Sequence, residues 1–177
     1  MTITYRAPFA DESQRIAEVH VAAWRSAYRG ILPDDLLANL AVEERASTWR
    51  RVLSSSDSQT KLLIALVADE IVGFVAYGAA RAQDDGCDAE IYALYVLSDH
   101  QHQGIGRQLV SRACADFTDW GMSSMVIWVL KDNAPARAFY QALGGSAFLE
   151  KTLQIAGEIY SEVGYVYANL AELAMQR

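Results

Sequence analysis

Two glycines stand where a predicted helix begins, and they could bring the backbone close to a bound group. Gly104 and Gly106 lie in the segment QHQGIGR, directly after the strand-like run EIYALYVL and before an apolar helical stripe. Glycine inside a helix or strand costs stability, so a pair at a helix entrance indicates close approach of the main chain to something else. Free N–H groups at the start of a helix bind anions, which makes a phosphate group the natural ligand.

The spacing of this loop separates it from two common phosphate-binding sequences. The P-loop string G-x-x-x-x-G-K-[ST] does not occur in the chain. A dinucleotide fingerprint, G-x-G-x-x-G, would need a third glycine where Leu109 stands, and it would lie at the first βα turn. The loop instead fits the pattern Q/R-x-x-G-x-G/A, with Gln101, Gly104 and Gly106.

Three segments together resemble the GNAT superfamily of N-acetyltransferases. They are LYV before the loop, QHQGIG in the loop, and NAPARAFYQALGG after the next predicted strand. The last segment is similar to the family pattern N-x-x-A-x-x-F-Y-x-x-x-G. The glycine loop and this segment follow one another in the order that the family shows. The resemblance spans nearly the whole chain, and it implies acetyl-CoA as the acyl donor.

The resemblance implies that the cofactor is held largely by backbone groups. Amides from residues 101 to 107 would bind the pyrophosphate, and the pantetheine arm would pair with the preceding strand like an added strand. The helix dipole would add about 0.3–1 kcal/mol, whereas amide hydrogen bonds to an anion at roughly 1.5–3 kcal/mol each would dominate. The implied cofactor-binding residues are Leu94, Tyr95, Val96, Gln101, His102, Gln103, Gly104, Ile105, Gly106, Arg107, Asn133, Ala136 and Tyr140.

The resemblance also implies a general base and a general acid. An ammonium group cannot attack a thioester, and its deprotonation at pH 7 costs about 4–5 kcal/mol for a lysine-like amine. Glu90 matches the position of the family's strand glutamate and would accept this proton, directly or through water. Tyr140 matches the family's acid for the departing thiolate. A backbone N–H near Tyr95 or Val96 would stabilise the oxyanion.

Transfer is expected to be direct and independent of metal. Neither Cys87 nor Cys114 lies at a nucleophile position, and the two show no metal-binding spacing. His100 and His102 lie close together but lack acidic or thiol partners at ligand spacing, so they are predicted to be solvated loop residues.

The acceptor pocket is expected from the first two helices, their connection WRSAYRGILPDD, Tyr92 and the last hairpin. Trp24 and Tyr28 are one turn apart and could line a slot for an amine's carbon body, although Trp24 also suits a core position. Asp34, Asp35 or Glu90 could pair with the amine's charge. The predicted acceptor is a primary amine on a small molecule. A protein acetyltransferase acting on lysines or N-termini, a non-catalytic acyl-CoA-binding module and a transferase of longer acyl chains stay open.

Apolar periodicity predicts one domain over residues 1–177 with an α+β (α/β) fold. The element order is β-α-α-β-β-β-α-β-α-β-β, and the resemblance implies a GNAT-like mixed, mostly antiparallel central sheet of about six or seven strands flanked by about four helices. Strands are predicted over 2–6, 61–68, 71–80, 89–97, 123–130, 147–155 and 159–167. Helices are predicted over 10–30, 32–53 (one broken or two short), 104–119 and 133–145, with a frayed turn over 169–177.

Bulk composition excludes several classes of function. A net charge of −7 and the lack of a basic stripe argue against nucleic acid as a partner. No apolar run is long enough to span a membrane, and the N-terminus does not read as a signal peptide, so no membrane association and a cytoplasmic location are expected. The final strands and the segment YVYANL could pair in a homodimer.

Overall fold

The structure is a computed structural model that describes residues 2–55, 58–81 and 86–175. Its strands are β1 (Ile3–Arg6), β2 (Lys61–Val67), β3 (Glu70–Ala79), β4 (Ala89–Val96), β5 (Met125–Leu130), β6 (Ser146–Ile155) and β7 (Glu158–Tyr167). Its α-helices are α1 (Ser13–Ala27), α2 (Asp34–Ala38), α3 (Val42–Ser54), α4 (Ile105–Asp119), α5 (Ala134–Ala142) and α6 (Leu170–Ala174). Short 3₁₀ turns cover Ala10–Glu12 and Ser98–His100.

One seven-stranded sheet has the order β1-β2-β3-β4-β5-β7-β6. Every neighbouring pair is antiparallel except β4 and β5, which run parallel because α4 crosses between them. The predicted mixed, mostly antiparallel α+β sheet is confirmed. The parallel pair divides the sheet into an N-terminal and a C-terminal half, and the two halves meet only there.

The parallel pair is joined over a short length. Its register pairs are Ala89 with Met125, Glu90 with Val126 and Ile91 with Ile127. Next to the last pair the β3–β4 register shifts, so that Tyr92 has no partner between Ile91 and Ala93. Such a bulge bends a strand and increases its twist. The remainder of β4 therefore diverges from β5 and leaves an opening in the middle of the sheet.

The two faces of the sheet carry separate apolar cores. On one face α4 packs through a continuous stripe that includes Ile105, Leu109 and Phe117. On the other face α1 and α3 pack through residues such as Ile16 and Trp49 on Phe74 of β3. Because β4 lies at the centre of the sheet, its alternate side chains reach both cores.

The described residues contain six α-helices, where about four were predicted. The segment after Pro33 splits into α2 and α3, which is the two-helix alternative. The tail is not a frayed turn: Leu170 and Leu173 of α6 are buried in the α4 core. Asn169 caps α6 by accepting a hydrogen bond from the Glu172 amide.

Candidate active site

The glycine loop ends at the first residue of α4 in the way an anion site requires. Gly104 is the N-cap and has φ of +81°, a left-handed conformation that side chains rarely adopt. The first helical hydrogen bond runs from the amide of Gln108 to the carbonyl of Gly104 over 3.0 Å. The amides of residues 105–107 precede that bond and point out of the helix end. A β-carbon at Gly104 would meet no protein atom within 4 Å, so backbone conformation is what requires glycine here.

Gly106 has a different reason to be glycine. A β-carbon there would lie 3.2 Å from Cζ of Phe139, which is tighter than ordinary contact. The glycine therefore lets α4 approach α5, where the sequence predicted only close approach to phosphate. Phe139 in turn packs on Tyr140, with ring centroids 5.5 Å apart.

The residues before Gly104 hold the loop in shape. The Gln101 amide donates to the Ser98 carbonyl over 3.2 Å, and the Gln101 side chain donates to the Val96 carbonyl over 3.1 Å. Gln103 donates from its side chain to the Asp99 carbonyl, and His102 has φ of +59°. Because the amide of Gln101 is engaged inside the loop, the predicted amide cradle begins after it.

The backbone of β4 alternates between the strand β3 and the opening. The Leu97 amide donates to the Val72 carbonyl of the neighbouring sheet segment. In an antiparallel ladder this parity turns the backbone groups of Tyr95 toward β3 and those of Leu94 and Val96 toward the opening. The amide expected to stabilise an oxyanion is therefore that of Leu94 or Val96, not that of Tyr95.

A cavity of about 620 Å³ joins these features, and we call it the cleft. Its walls are the last turn of α1, the diverging parts of β4 and β5, the glycine loop and the first turns of α5. Of the predicted site residues it is lined by Tyr28, Tyr92, Leu94, Tyr95, Val96, Gln101, His102, Gly104, Ile105, Gly106, Arg107, Asn133, Ala136 and Tyr140. Trp24, Glu90 and Gln103 lie outside this lining.

Tyr140 and Asn133 lie on the α5 side of the cleft. Tyr140 is 7% exposed, and burial, together with the nearby Tyr28, raises the pKa of its hydroxyl. Its proton is therefore retained at neutral pH, as a proton donor requires. Asn133 caps α5, with Oδ1 accepting from the Ala136 amide over 3.2 Å. The predicted cap is thus present at a residue that also lines the cleft.

Glu90 is buried beside the cleft and tightly bound to Arg81, which sequence reasoning missed. Glu90 is 2% exposed. The Arg81 amide donates to Oε2 of Glu90 over 3.0 Å, and its guanidinium donates to Oε1 from Nε over 3.1 Å and from Nη2. The same guanidinium lies 4.5 Å from the centre of the Tyr92 ring. Both carboxylate oxygens of Glu90 are thus bound by Arg81, and Glu90 is not part of the cleft lining.

Family and relatives

Comparison with known proteins identifies the family of this chain. Residues 14–145 match the model of the Acetyltransferase (GNAT) family. The chain is also 33% identical over 174 residues to the uncharacterized N-acetyltransferase YuaI of Bacillus subtilis (strain 168), with 97% of this chain and 96% of YuaI covered. The chain belongs to the GNAT family of acetyltransferases.

Solved structures agree with the GNAT fold. PaiA N-acetyltransferase from Thermoplasma acidophilum, determined in complex with coenzyme A, matches with a TM-score of 0.71 and 21% identity, covering 92% of this chain and 98% of PaiA. The yncA protein from Salmonella typhimurium, determined with acetyl-CoA, matches with a TM-score of 0.68 and 19% identity, covering 95% and 94%. The predicted GNAT-like fold and acyltransferase class are confirmed.

Aromatic side chains gather around Tyr95 on the α1 side of the cleft. The Trp24 indole donates from Nε1 to the Tyr95 hydroxyl over 2.8 Å. The Tyr28 and Tyr95 hydroxyl oxygens are 3.4 Å apart. His20 stacks on the Tyr95 ring with centroids 4.9 Å apart. Since Trp24 supports Tyr95 and lies outside the cleft lining, it is a supporting residue here and not a direct wall.

His20 is neutral in this cluster. The Trp49 indole donates from Nε1 to Nδ1 of His20 over 3.3 Å, and a tryptophan N–H can only donate. Nδ1 must therefore carry a lone pair. Burial, helped by the charge of Arg45, lowers the pKa of His20 to about 3.

The polar atoms of Tyr92 and Glu162 lie near the Glu90–Arg81 pair. The Tyr92 hydroxyl donates to the Ala79 carbonyl over 2.5 Å, so its ring and not its hydroxyl is presented to the cleft. Glu162 of β7 lies opposite Leu130 and is 3.9 Å from Nζ of Lys151. Burial raises the pKa of Glu162, and the charge of Glu90 adds to this rise while Lys151 and Arg81 oppose it. The β5–β7 and β6–β7 registers place Glu162 opposite Leu130 and Lys151.

The thiol of Cys114 is part of the core of this GNAT domain. It is fully buried against Met125, with a sulfur–sulfur distance of 3.7 Å, and burial raises its pKa to about 12. In residues 2–55, 58–81 and 86–175, no group of three or more His, Cys, Asp or Glu side chains is arranged to hold a metal ion. None of the helices in those same ranges has the length and apolarity to cross a membrane.

Proposed function

We propose that this GNAT enzyme transfers an acetyl group directly from acetyl-CoA to a primary amine of a small molecule. The observation that carries the proposal is the cleft itself, where the N-terminal end of α4, the divergence of β4 from β5 and the Tyr140 hydroxyl meet. Relatives with this fold were determined with coenzyme A and with acetyl-CoA. A net charge of −7 favours a cationic acceptor.

Backbone groups would hold the cofactor. The amides of residues 105–107 and the positive end of the α4 dipole would bind the pyrophosphate. The pantetheine arm would lie in the opening of the sheet, where it would use the backbone groups of Leu94 and Val96. Asn133 and Ala136 would contact the arm farther along α5.

The chemistry would need three proton transfers around one acyl transfer. The ammonium group of the acceptor would give its proton through a water to the Glu90 carboxylate, which frees the nitrogen lone pair. That nitrogen would attack the thioester carbonyl carbon, and the amide of Leu94 or Val96 would stabilise the oxyanion. The carbon–sulfur bond would then break, and the Tyr140 hydroxyl would donate its proton to the leaving sulfur. The second proton that the nitrogen loses would pass through water to the Tyr140 oxygen and restore its hydroxyl.

We further propose a homodimer and a cytoplasmic location, without nucleic acid or membrane as partner. The support for a dimer is that β6 lies at the end of the strand order and is mostly exposed. Size-exclusion chromatography with light scattering tests this point directly.

A thiol-release screen with acetyl-CoA tests the function. Small amines and peptides with free lysines or N-termini are offered in parallel, and turnover of at least one small amine well above every peptide is expected. Glu90→Gln and Tyr140→Phe are run beside the wild type on each accepted substrate. Turnover of peptides alone would favour the protein-modifying alternative. Binding of acetyl-CoA without turnover of any acceptor would favour a non-catalytic module.

A further inference from the structure

A row of hydrogen bonds connects α1 to the cleft. His20, Trp24 and Tyr28 are spaced four residues apart on α1, so they form one stripe on the helix. The stripe packs on Tyr95, which His20 stacks against and which Trp24 contacts through its indole N–H. The Trp24 and Tyr28 rings meet edge to face, with centroids 4.9 Å apart.

The direction of the first hydrogen bond follows from the donor inventory: an indole N–H can only donate, so the Tyr95 oxygen accepts from Trp24 over 2.8 Å. The Tyr95 and Tyr28 hydroxyl oxygens are 3.4 Å apart, a long contact in which either hydroxyl can be the donor. In the arrangement in which Tyr95 donates, the Tyr28 hydroxyl keeps its own proton for another partner. Among the residues that the structure describes, Tyr95 is the one hydrogen-bond partner of that hydroxyl.

The Tyr28 hydroxyl lies at the one wall of the cleft that is not assigned to the cofactor. The glycine loop, β4, β5 and α5 form the other walls and are assigned above to acetyl-CoA. The α1 wall consists of Ala23, Ser26, Ala27 and Tyr28. Ala23 and Ala27 offer no polar side chain. Tyr28 is therefore the aromatic residue on this wall that can both contact a carbon body and donate a hydrogen bond.

The electrostatic surroundings of Tyr28 decide which kind of oxygen it can bind. Tyr28 follows the last residue of α1, at the negative end of that helix's dipole. Burial raises the pKa of Tyr28, the hydrogen bond from Tyr95 opposes this rise, and the negative charge of Glu162 adds to it. The same negative surroundings favour an ammonium group on the acceptor and disfavour an acceptor that carries a carboxylate, because Glu162 is already negative. A neutral oxygen satisfies the Tyr28 proton without that repulsion.

We propose that the Trp24–Tyr95–Tyr28 hydrogen-bond row makes Tyr28 a donor to a neutral oxygen of the acceptor, such as an amide carbonyl beside the amino group. This inference rests on the proposed function and adds a substrate class to it. Tyr28 is a binding residue in this scheme. Tyr95 and Trp24 are positioning residues, because they act through Tyr28.

Three amines that share the isobutyl group of leucine test the inference. L-leucinamide carries a neutral carbonyl, L-leucine carries a carboxylate, and 3-methylbutylamine carries no oxygen. Because the three amines differ in pKa, the deciding quantity is the ratio of kcat/KM in the variant to that in the wild type, taken for each probe separately. Incorrectly folded enzyme lowers all three ratios equally and therefore does not mimic the effect.

Tyr28→Phe is expected to lower kcat/KM for L-leucinamide by about three- to tenfold, mainly through KM, and to leave 3-methylbutylamine within about twofold. Tyr95→Phe and Trp24→Phe are expected to give smaller losses with the same selectivity. L-leucine is expected to be the poorest of the three for the wild type. Tyr160→Phe is the matched control, because Tyr160 packs in the same apolar cluster as Tyr28 but lies outside the cleft lining.

The outcomes separate this inference from the function on which it rests. Equal losses for L-leucinamide and 3-methylbutylamine, or no loss, overturn the inference and leave the acetyltransferase function in place. Rejection of L-leucinamide by a wild type that acetylates other amines also overturns it. Failure of the wild type to acetylate any amine in the wider screen counts against the proposed function itself.

Discussion

The two sides of the cleft are made in different ways. The proposed cofactor side uses main-chain groups, namely the amides of residues 105–107 in the first turn of α4 and the backbone of Leu94 and Val96 at the opening. The proposed acceptor side uses side chains, chiefly Tyr28, which contacts Tyr95 from a strand far away in sequence. Backbone groups are the same in every residue, so the cofactor side tolerates sequence change away from its glycines. The acceptor side depends on individual side chains, and it can diverge between relatives while the fold is kept.

The largest effect is expected from Tyr140→Phe, which should lower turnover without lowering the affinity for acetyl-CoA. This change removes the proton for the leaving thiolate, and loss of a general acid costs about 10²–10⁴-fold in rate. Turnover should therefore fall by about a hundredfold or more, while calorimetry shows nearly unchanged acetyl-CoA affinity because the backbone contacts remain. Tyr165→Phe is the matched control, since Tyr165 is buried with its ring 5.9 Å from that of Tyr140 but does not line the cleft. Similar turnover losses in both variants would contradict the role of Tyr140.

The second test, Gly104→Val, changes the loop whose main-chain amides are proposed to bind the pyrophosphate. A β-branched residue at φ of +81° forces the loop to rearrange, and the amides beyond it then lose their alignment with the pyrophosphate. Affinity for acetyl-CoA should fall about ten- to a hundredfold, as expected from one or two lost amide contacts to an anion.

Gly157→Val gives the matched control for this substitution. Gly157 has φ of +89° in the β6–β7 turn, and an added β-carbon there also meets no protein atom within 4 Å. The backbone strain is therefore comparable, but the site is outside the cleft. Both variants should lose stability in urea unfolding, and only Gly104→Val should lose affinity. Equal affinities in the two would remove the basis for the pyrophosphate assignment.

The start of α4 at the glycine loop and the Asn133 cap of α5 could be predicted from the sequence because their signals are local. Gly104 and Gln108 close one helical turn, and Asn133 caps the helix that carries Tyr140 within a few residues. Such relations between near neighbours can be recognised as motifs. The order of strands and helices along the chain also followed from the apolar periodicity.

The acceptor side could not be predicted to the same depth because its contacts are long-range. Trp24 and Tyr95 are 71 residues apart, and their hydrogen bond needs both the α1 packing angle and the face of β4 on which Tyr95 lies. Arg81 lies near Glu90 in sequence, but the pairing depends on the β3–β4 register, which a bulge shifts. The packing of α6 could have been predicted from the sequence, since Leu170 and Leu173 are three residues apart and form one apolar helix face.

Glu90→Gln is expected to lower turnover by about tenfold or more, because glutamine accepts no proton from the water that serves the acceptor. Glu162→Gln is the matched control: it makes the same chemical change in a carboxylate that shares the electrostatic surroundings of Glu90. A small effect at Glu162 and a large one at Glu90 would support the relay. The reverse result would move the base from β4 to β7 and would make the acceptor side catalytic as well as selective.

The smallest expected effect concerns the pH dependence of stability beneath the acceptor side. The pKa of His20 is lowered to about 3 in the folded protein, whereas an unfolded histidine titrates near 6.5. Between these values the unfolded state binds one more proton, so stability falls as the pH is lowered from about 6.5 towards 3. The slope from this group is at most about 1.4 kcal/mol per pH unit.

His20→Asn keeps an acceptor for the Trp49 indole and removes the titration, so the free energy of unfolding in urea at pH 7, 6 and 5 should depend less steeply on pH. His102→Asn makes the same change at an exposed histidine outside this cluster, where asparagine tolerates the positive φ, and it controls for the substitution itself. A slope in His20→Asn as steep as that of the wild type would contradict a neutral His20 in the folded protein.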